Sequence, residues 1–132
     1  MDTQNLIEVA KEARKLSYSP YSHFAVGAAV LCSDGSVYPG ANIENASYPL
    51  SMCAERNAVY NAYMDEKTKD DITAICIIAD SDRPCSPCGA CRQVLSELIP
   101  EDALIIMANL KGDKIETTIK DLLPYAFQGD DL

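Results

Sequence analysis

The chain has one histidine and little positive charge: 11 Lys and Arg stand against 20 Asp and Glu, for a net charge of -9. The lone His23 does not sit in an H-x-E pattern, and a Ser-His-Asp triad has no second feature to support it, so His23 reads as a loop or strand-edge residue. A protein that grips a phosphate backbone needs a basic surface, so nucleic acid is an unlikely partner on charge, and a free, uncharged small molecule is the expected ligand. No apolar run approaches the ~18 residues that suggest a membrane-spanning helix. Met1 to Ala10 lack the basic segment and apolar core of a secretion signal, so a cytoplasmic location is expected. There is no internal repeat, low-complexity tract or linker. At 132 residues, 48% hydrophobic and 23% charged, the chain is expected to form one domain over residues 1–132 with a real core.

Six cysteines are present. A chain of this length does not need disulfide staples, and nothing indicates secretion. The spacing of three of them is more telling. Cys53-Ala54-Glu55 is followed, 33 residues after Glu55, by Cys88 in Pro87-Cys88-Gly89-Ala90-Cys91. Three thiolates make three-quarters of a tetrahedral zinc shell and leave one position for water, whereas a structural zinc is usually closed by four protein ligands. Cys88 and Cys91, at i and i+3, project from one side of a first helical turn, and Cys53 opens another helix. Both places favour thiolates through unpaired N–H groups and the positive end of the helix dipole. Glu55, two residues from a ligand, is the general acid/base candidate. Three thiolates with Zn²⁺ leave a formal charge of -1, which Arg56 can offset by hydrogen-bonding the sulfurs. Cys85 extends the string to Cys85-x-x-Cys88-x-x-Cys91 and is an alternative fourth ligand, although a helix starting after it should turn it away. A redox reading of the C-x-x-C leaves Cys53 and Glu55 unexplained. Cys32 and Cys76 lie in apolar strands and read as core filler.

Hydrophobic periodicity places the elements. Asp2 or Thr3 can cap a first helix with Leu6, Val9, Ala10, Ala13 and Leu16 on its apolar face. Phe24 to Cys32 reads as a strand, Ser33-Asp34-Gly35-Ser36 as a turn, and Val37 onward as a second strand. Asn42 to Leu50 is a polar loop before a helix from near Cys53 to about Met64. Ile72 to Ala79 and Ala103 to Ala108 are buried strands. Between them a helix has Pro87 in its first turn and carries Val94, Leu95 and Leu98. Lys111-Gly112-Asp113 turns the chain into Ile115 to Ile119, Asp121 can start a short last helix, and Gln128 to Leu132 should fray. Helices alternating with fully apolar strands imply an α/β fold, a three-layer α/β/α sandwich with a five-stranded mixed sheet.

Three-cysteine zinc beside an acid/base glutamate is the general signature of zinc nucleobase deaminases. Here Asn42-Ile43-Glu44-Asn45-Ala46-Ser47-Tyr48, Cys53-Ala54-Glu55-Arg56 and Ser86-Pro87-Cys88-Gly89-Ala90-Cys91-Arg92-Gln93 closely resemble cytidine deaminase of the short, homotetrameric type. Pro20-Tyr21-Ser22 with Phe24, Val26 and Gly27, and Leu122-Leu123-Pro124, fit as well, so the resemblance runs from about residue 5 to residue 128. It implies one Zn²⁺ per subunit on Cys53, Cys88 and Cys91, and hydrolytic deamination of cytidine and deoxycytidine at C4 in pyrimidine salvage. Glu55 would then move protons between water, ring N3 and the leaving amine. It further implies that Phe24 contacts the pyrimidine face, that Asn42 and Glu44 hydrogen-bond the ribose, chiefly its 3′-hydroxyl, and that the Ala54 N–H meets the base O2. Ala46 and Tyr48 would help complete a neighbouring subunit's site, with Phe127 as an aromatic wall across another interface. Two other readings stand beside it: another small-molecule deaminase of the superfamily, such as one acting on blasticidin S, and a non-catalytic zinc-stabilised binding module with Cys85 as fourth ligand.

Overall fold

The computed structural model describes residues 3–132; Asp2, a candidate helix cap, lies outside them. One five-stranded sheet runs in the order β2-β1-β3-β4-β5, with β1 at Val26–Cys32, β2 at Val37–Ala41, β3 at Ile72–Ala79, β4 at Leu104–Asn109 and β5 at Lys114–Thr117. β3 and β4 pair in parallel and the other neighbours are antiparallel, so the sheet is mixed as expected. Parallel neighbours need a crossover, and α3 (Gly89–Leu98) supplies it between β3 and β4.

The central strands alternate their side chains between two cores. Ala28 and Val30 of β1, with Ile75 and Ile77 of β3, meet Ala58, Val59 and Ala62 of α2 (Ala54–Met64) and Leu95 of α3. Ala29, Cys76, Ile78 and Ile106 face the other way, onto Leu6, Ile7 and Ala10 of α1 (Thr3–Arg14). The two layers of helices are therefore dictated by strands apolar on both faces. Cys32 and Cys76 are buried, one in each core.

Two glycines set how closely the helices approach. A Cβ on Gly27 would lie 2.1 Å from the Ala10 carbonyl oxygen of α1, and one on Gly40 would lie 2.4 Å from the Ala58 nitrogen of α2. The helix that carries Glu55 thus rests directly on the backbone of β2.

The register collects the ends of three strands at one place. Val26, the first residue of β1, pairs with Ala79, the last of β3, while Gly27 beside it pairs with Ala41, the last of β2. The segment before β1, the loop after β2 and the loop after β3 therefore leave the sheet together. The Asn42 to Leu50 loop is not free. Ile43 and Met52 exchange backbone hydrogen bonds of 2.9 and 2.8 Å, and Tyr18 N–H to Asn42 O (3.0 Å) and Glu44 N–H to Tyr18 O (2.8 Å) pin it on its other side.

Several boundaries differ from expectation. β1 opens at Val26, two residues after Phe24, because the Asn42 side chain takes the Val26 N–H. Pro87 precedes α3 rather than sitting in its first turn, since Cys88 keeps an extended conformation (φ -68°, ψ 170°) as the N-cap. Leu16 falls beyond α1 and is exposed. β4 starts one residue later than Ala103, and β5 ends at Thr117. Thr118 caps a last helix, α4 (Ile119–Leu122), that holds Asp121 inside it. Gln128 caps a 3₁₀ turn at Gly129–Asp131 in the exposed tail. Gly40→Ala should lower unfolding free energy by about 1–3 kcal/mol, as overpacking does. A urea melt with a zinc-retention assay checks this: α2 displaced from β2 should also hold metal less well, and parent-like values for both would contradict the seating.

Candidate metal centre and substrate pocket

Cys53 and Cys88 are the N-caps of α2 and α3, and both backbones are extended there. Their carbonyls accept the first helical hydrogen bonds, from Asn57 N–H (3.1 Å) and Arg92 N–H (2.9 Å). Each sulfur thus lies at the positive end of a helix dipole. The Cys53 and Cys88 sulfurs are 4.0 Å apart, those of Cys88 and Cys91 3.4 Å, and all three lie within 4.8 Å of one another. Sulfurs on a tetrahedral zinc at about 2.3 Å stand about 3.8 Å apart, so the trio fits that ion in donor type, number and spacing.

Charge at the centre favours the same use. The Cys53 thiol is pulled down to about 5, first by its contact with the Cys91 sulfur and then by the Arg56 guanidinium. The same contact, with burial, pushes Cys91 up. Arg56 Nη2 donates to Cys53 Sγ at 3.4 Å, which holds the guanidinium pKa above its ordinary range. Arg56 Nε is buried with no hydrogen-bond partner. Glu55 is 4% exposed, and burial raises its carboxyl to about 7, poised to take and return a proton near neutrality.

Above the sulfurs lies a cavity of about 220 Å³. Cys53, Cys88, Glu55, Ala54, Phe24, Asn42, Glu44 and Tyr48 line it, with Cys91 buried beneath. Asn42 is held by protein groups that fix which way its amide faces. Oδ1 accepts Val26 N–H (2.9 Å) and Ser17 Oγ–H (2.5 Å), and Nδ2 donates to Phe24 O (2.8 Å). One amide hydrogen is left over. Glu44 Oε1 accepts the Tyr21 and Ser22 N–H groups, both at 3.1 Å, and Oε2 accepts the Ser22 hydroxyl. These bonds, the hydroxyl first, hold the Glu44 carboxyl below its usual range.

Other expected site residues lie apart. Ala46 is exposed and outside the cavity lining. Phe127 is 56% exposed and borders a different hollow with Lys69 and Ser96, its carbonyl accepting Gln93 Nε2 at 2.9 Å. That hollow, about 280 Å³, and another of about 420 Å³ beside Tyr125 contain none of the three clustered cysteines, so their size does not make them the reactive site. His23 lies in a loop with φ 56°. Cys85 does not turn away as expected: it lines the cavity, and burial raises its thiol to about 12. It is still not part of the sulfur trio. Ser22, Val26 and Ser86 also line the cavity; they fall within the family-like motifs but carried no site role of their own from the sequence, and Ser86 Oγ accepts Arg92 Nη2 at 2.7 Å.

Comparisons with known proteins agree with this geometry. The family profile described as the cytidine and deoxycytidylate deaminase zinc-binding region matches residues 1–107. A cytidine deaminase of Halalkalibacterium halodurans is 53% identical over 132 residues, covering 100% of this chain and 98% of that protein. One from Sporosarcina psychrophila is 47% identical, covering 100% and 96%. The crystal structure of cytidine deaminase from Burkholderia pseudomallei superposes with a TM-score of 0.94 at 45% identity, over 96% of this chain and 100% of that one.

X-ray absorption on the zinc-loaded protein should find three sulfur neighbours at about 2.3 Å and one lighter atom at about 2.0 Å. Four sulfurs would bring Cys85 into the shell and close the site.

Proposed function

The chain belongs to the cytidine and deoxycytidylate deaminase family, and from that premise we propose that it hydrolyses cytidine and deoxycytidine to uridine and deoxyuridine, releasing ammonia. The observation that carries this reading is the meeting, in one cavity, of a buried Glu55 raised to about 7 with Asn42 and Glu44, the pair this reading assigns to the sugar. Cys53, Cys88 and Cys91 would hold one zinc ion per subunit, which when bound supplies the Lewis acidity that makes water a nucleophile at neutral pH.

Glu55 takes the proton from the attacking water and delivers it to ring N3. It then takes the remaining proton from the new C4 hydroxyl and passes it to the C4 amine, which leaves as ammonia. Its depth in the fold matches this cycle, since a carboxyl that titrates near neutrality gives up and regains a proton at little cost. Ala54 is the first residue of α2, where helical N–H groups lack intrahelical partners, and its amide is assigned to the base O2. Phe24 lies against the pyrimidine face. The spare Asn42 amide hydrogen donates to the ribose 3′-hydroxyl, and that hydroxyl donates to Glu44. A sugar lacking the hydroxyl would leave a buried carboxylate underpaired, and a phosphate nearby would be repelled. Arg56 offsets the charge of the three thiolates.

The cavity of about 220 Å³ is below the ~300–1,000 Å³ of ordinary ligand pockets. A homotetramer in which Ala46 and Phe127 reach sites of neighbouring subunits would complete it, while Tyr48 already lines the cavity of its own chain. The exposure of Tyr48 and Phe127 fits the same arrangement. We place the enzyme in the cytoplasm, in pyrimidine salvage, acting on the free nucleoside; among the described residues no helix is long and apolar enough to cross a membrane. The binding-module alternative requires Cys85 as a fourth ligand, and a blasticidin-type substrate should not need the Asn42 and Glu44 ribose pattern so fully.

Glu55→Gln should fold and retain zinc while kcat falls by about 10²–10⁴-fold, the usual range for a general acid/base. Turnover near the parent's with metal bound would remove Glu55 from the chemistry. Cytidine and deoxycytidine should both be turned over, and CMP poorly. A CMP rate equal to that of cytidine in a steady-state assay would contradict the role of Glu44.

A further inference from the structure

Ser22 joins two parts of the cavity that the sequence keeps apart. Its Oγ–H donates to Glu44 Oε2, and its Oγ accepts the Phe24 N–H at 3.0 Å. Its own N–H donates to Glu44 Oε1 at 3.1 Å, beside that of Tyr21 at 3.1 Å. His23 between Ser22 and Phe24 adopts the left-handed conformation, φ 56°, and this turn doubles the Phe24 N–H back onto Ser22.

A carboxylate offers about four lone-pair positions. Three of those on Glu44 are occupied, two on Oε1 and one on Oε2, so the open one is on Oε2, the oxygen that Ser22 holds. Glu44 is 7% exposed and borders the cavity, as does Ser22. With the hydroxyl gone, the two backbone donors would still hold Oε1, but nothing would fix Oε2. The direction of the free acceptor therefore depends on Ser22.

We propose that Ser22 is a positioning residue for nucleoside recognition: its hydroxyl aims the Glu44 carboxylate at a sugar hydroxyl and ties that acceptor to the Phe24 backbone. This rests on the deaminase reading above and adds to it the residue that sets its sugar selectivity. Ser22 does not touch the reacting atoms, so its effect belongs on KM and on discrimination between sugars rather than on the chemical step.

The test is steady-state kinetics of the zinc-loaded parent, Ser22→Ala and Ser22→Thr with cytidine and 3′-deoxycytidine. Ser22 is in an exposed loop, so neither change threatens the core. In Ser22→Ala the KM for cytidine should rise about tenfold, the low end for a hydrogen bond to a charged group, with kcat within about twofold of the parent. The kcat/KM preference for cytidine over 3′-deoxycytidine should shrink by about the same factor, because the analogue has no hydroxyl to lose. Ser22→Thr, which keeps the hydroxyl, should hold the parent's preference. An unchanged preference in Ser22→Ala, an equal loss for both substrates, or a threonine variant as impaired as the alanine one would overturn the proposal. A parent that does not turn over cytidine would overturn the deaminase reading and the proposal with it.

Discussion

The approach of two helix N-termini to within sulfur contact is the constraint on which the site depends. Cys53 and Cys88 each end an extended segment and open a helix, and their sulfurs stand 4.0 Å apart. Helix dipoles of one sign repel at such a meeting unless anionic groups lie between them, and three thiolates on a divalent cation are such a group. The metal would therefore fasten α2 to α3 as well as supply chemistry, so that metal affinity contributes to folding. The rest of the fold sets up this meeting. β3 and α3 bring Cys88 and Cys91 to the end of the sheet, and Gly40 lets α2 lie close enough to β2 to bring Cys53 and Glu55.

Around that centre, burial and charge oppose each other to a useful end. Depth raises Glu55 to about 7, whereas the Cys91 contact, and after it Arg56, lowers Cys53 to about 5. Adjacent acidic groups in one pocket are thus set for different tasks: a sulfur that ionises readily for a cation, and a carboxyl that exchanges protons near neutral pH. Glu44, also nearly buried, shifts the other way because it accepts three hydrogen bonds. In the proposed reading the same residue type would serve as a proton carrier at position 55 and as a fixed anion at position 44. The difference comes from the donors around each.

Much of this was legible in the chain. β3 matches its apolar run end to end because seven of its eight residues are apolar and the one polar side chain, Thr73, is exposed and donates to Leu31 O. The three-cysteine cluster with Glu55 beside it was legible because metal spacing is local to each helix start. What spacing does not encode is which backbone groups face a side chain after folding. Ser22 lies 22 residues from Glu44, and their contact exists only because Tyr18 and Ile43 bring the two loops together. Cys85 was expected to rotate away with the start of α3. Because Cys88 caps that helix instead of continuing a turn, the extended backbone before it leaves Cys85 facing the cavity. The tail, expected to fray, closes a 3₁₀ turn through Gln128 and Asp131.

The most direct test of the account is ammonia release from cytidine by the purified protein, before and after zinc removal and again after zinc is restored. The account predicts release that stops when the metal is taken out and returns with it. A folded, zinc-loaded protein that releases no ammonia from cytidine would contradict it.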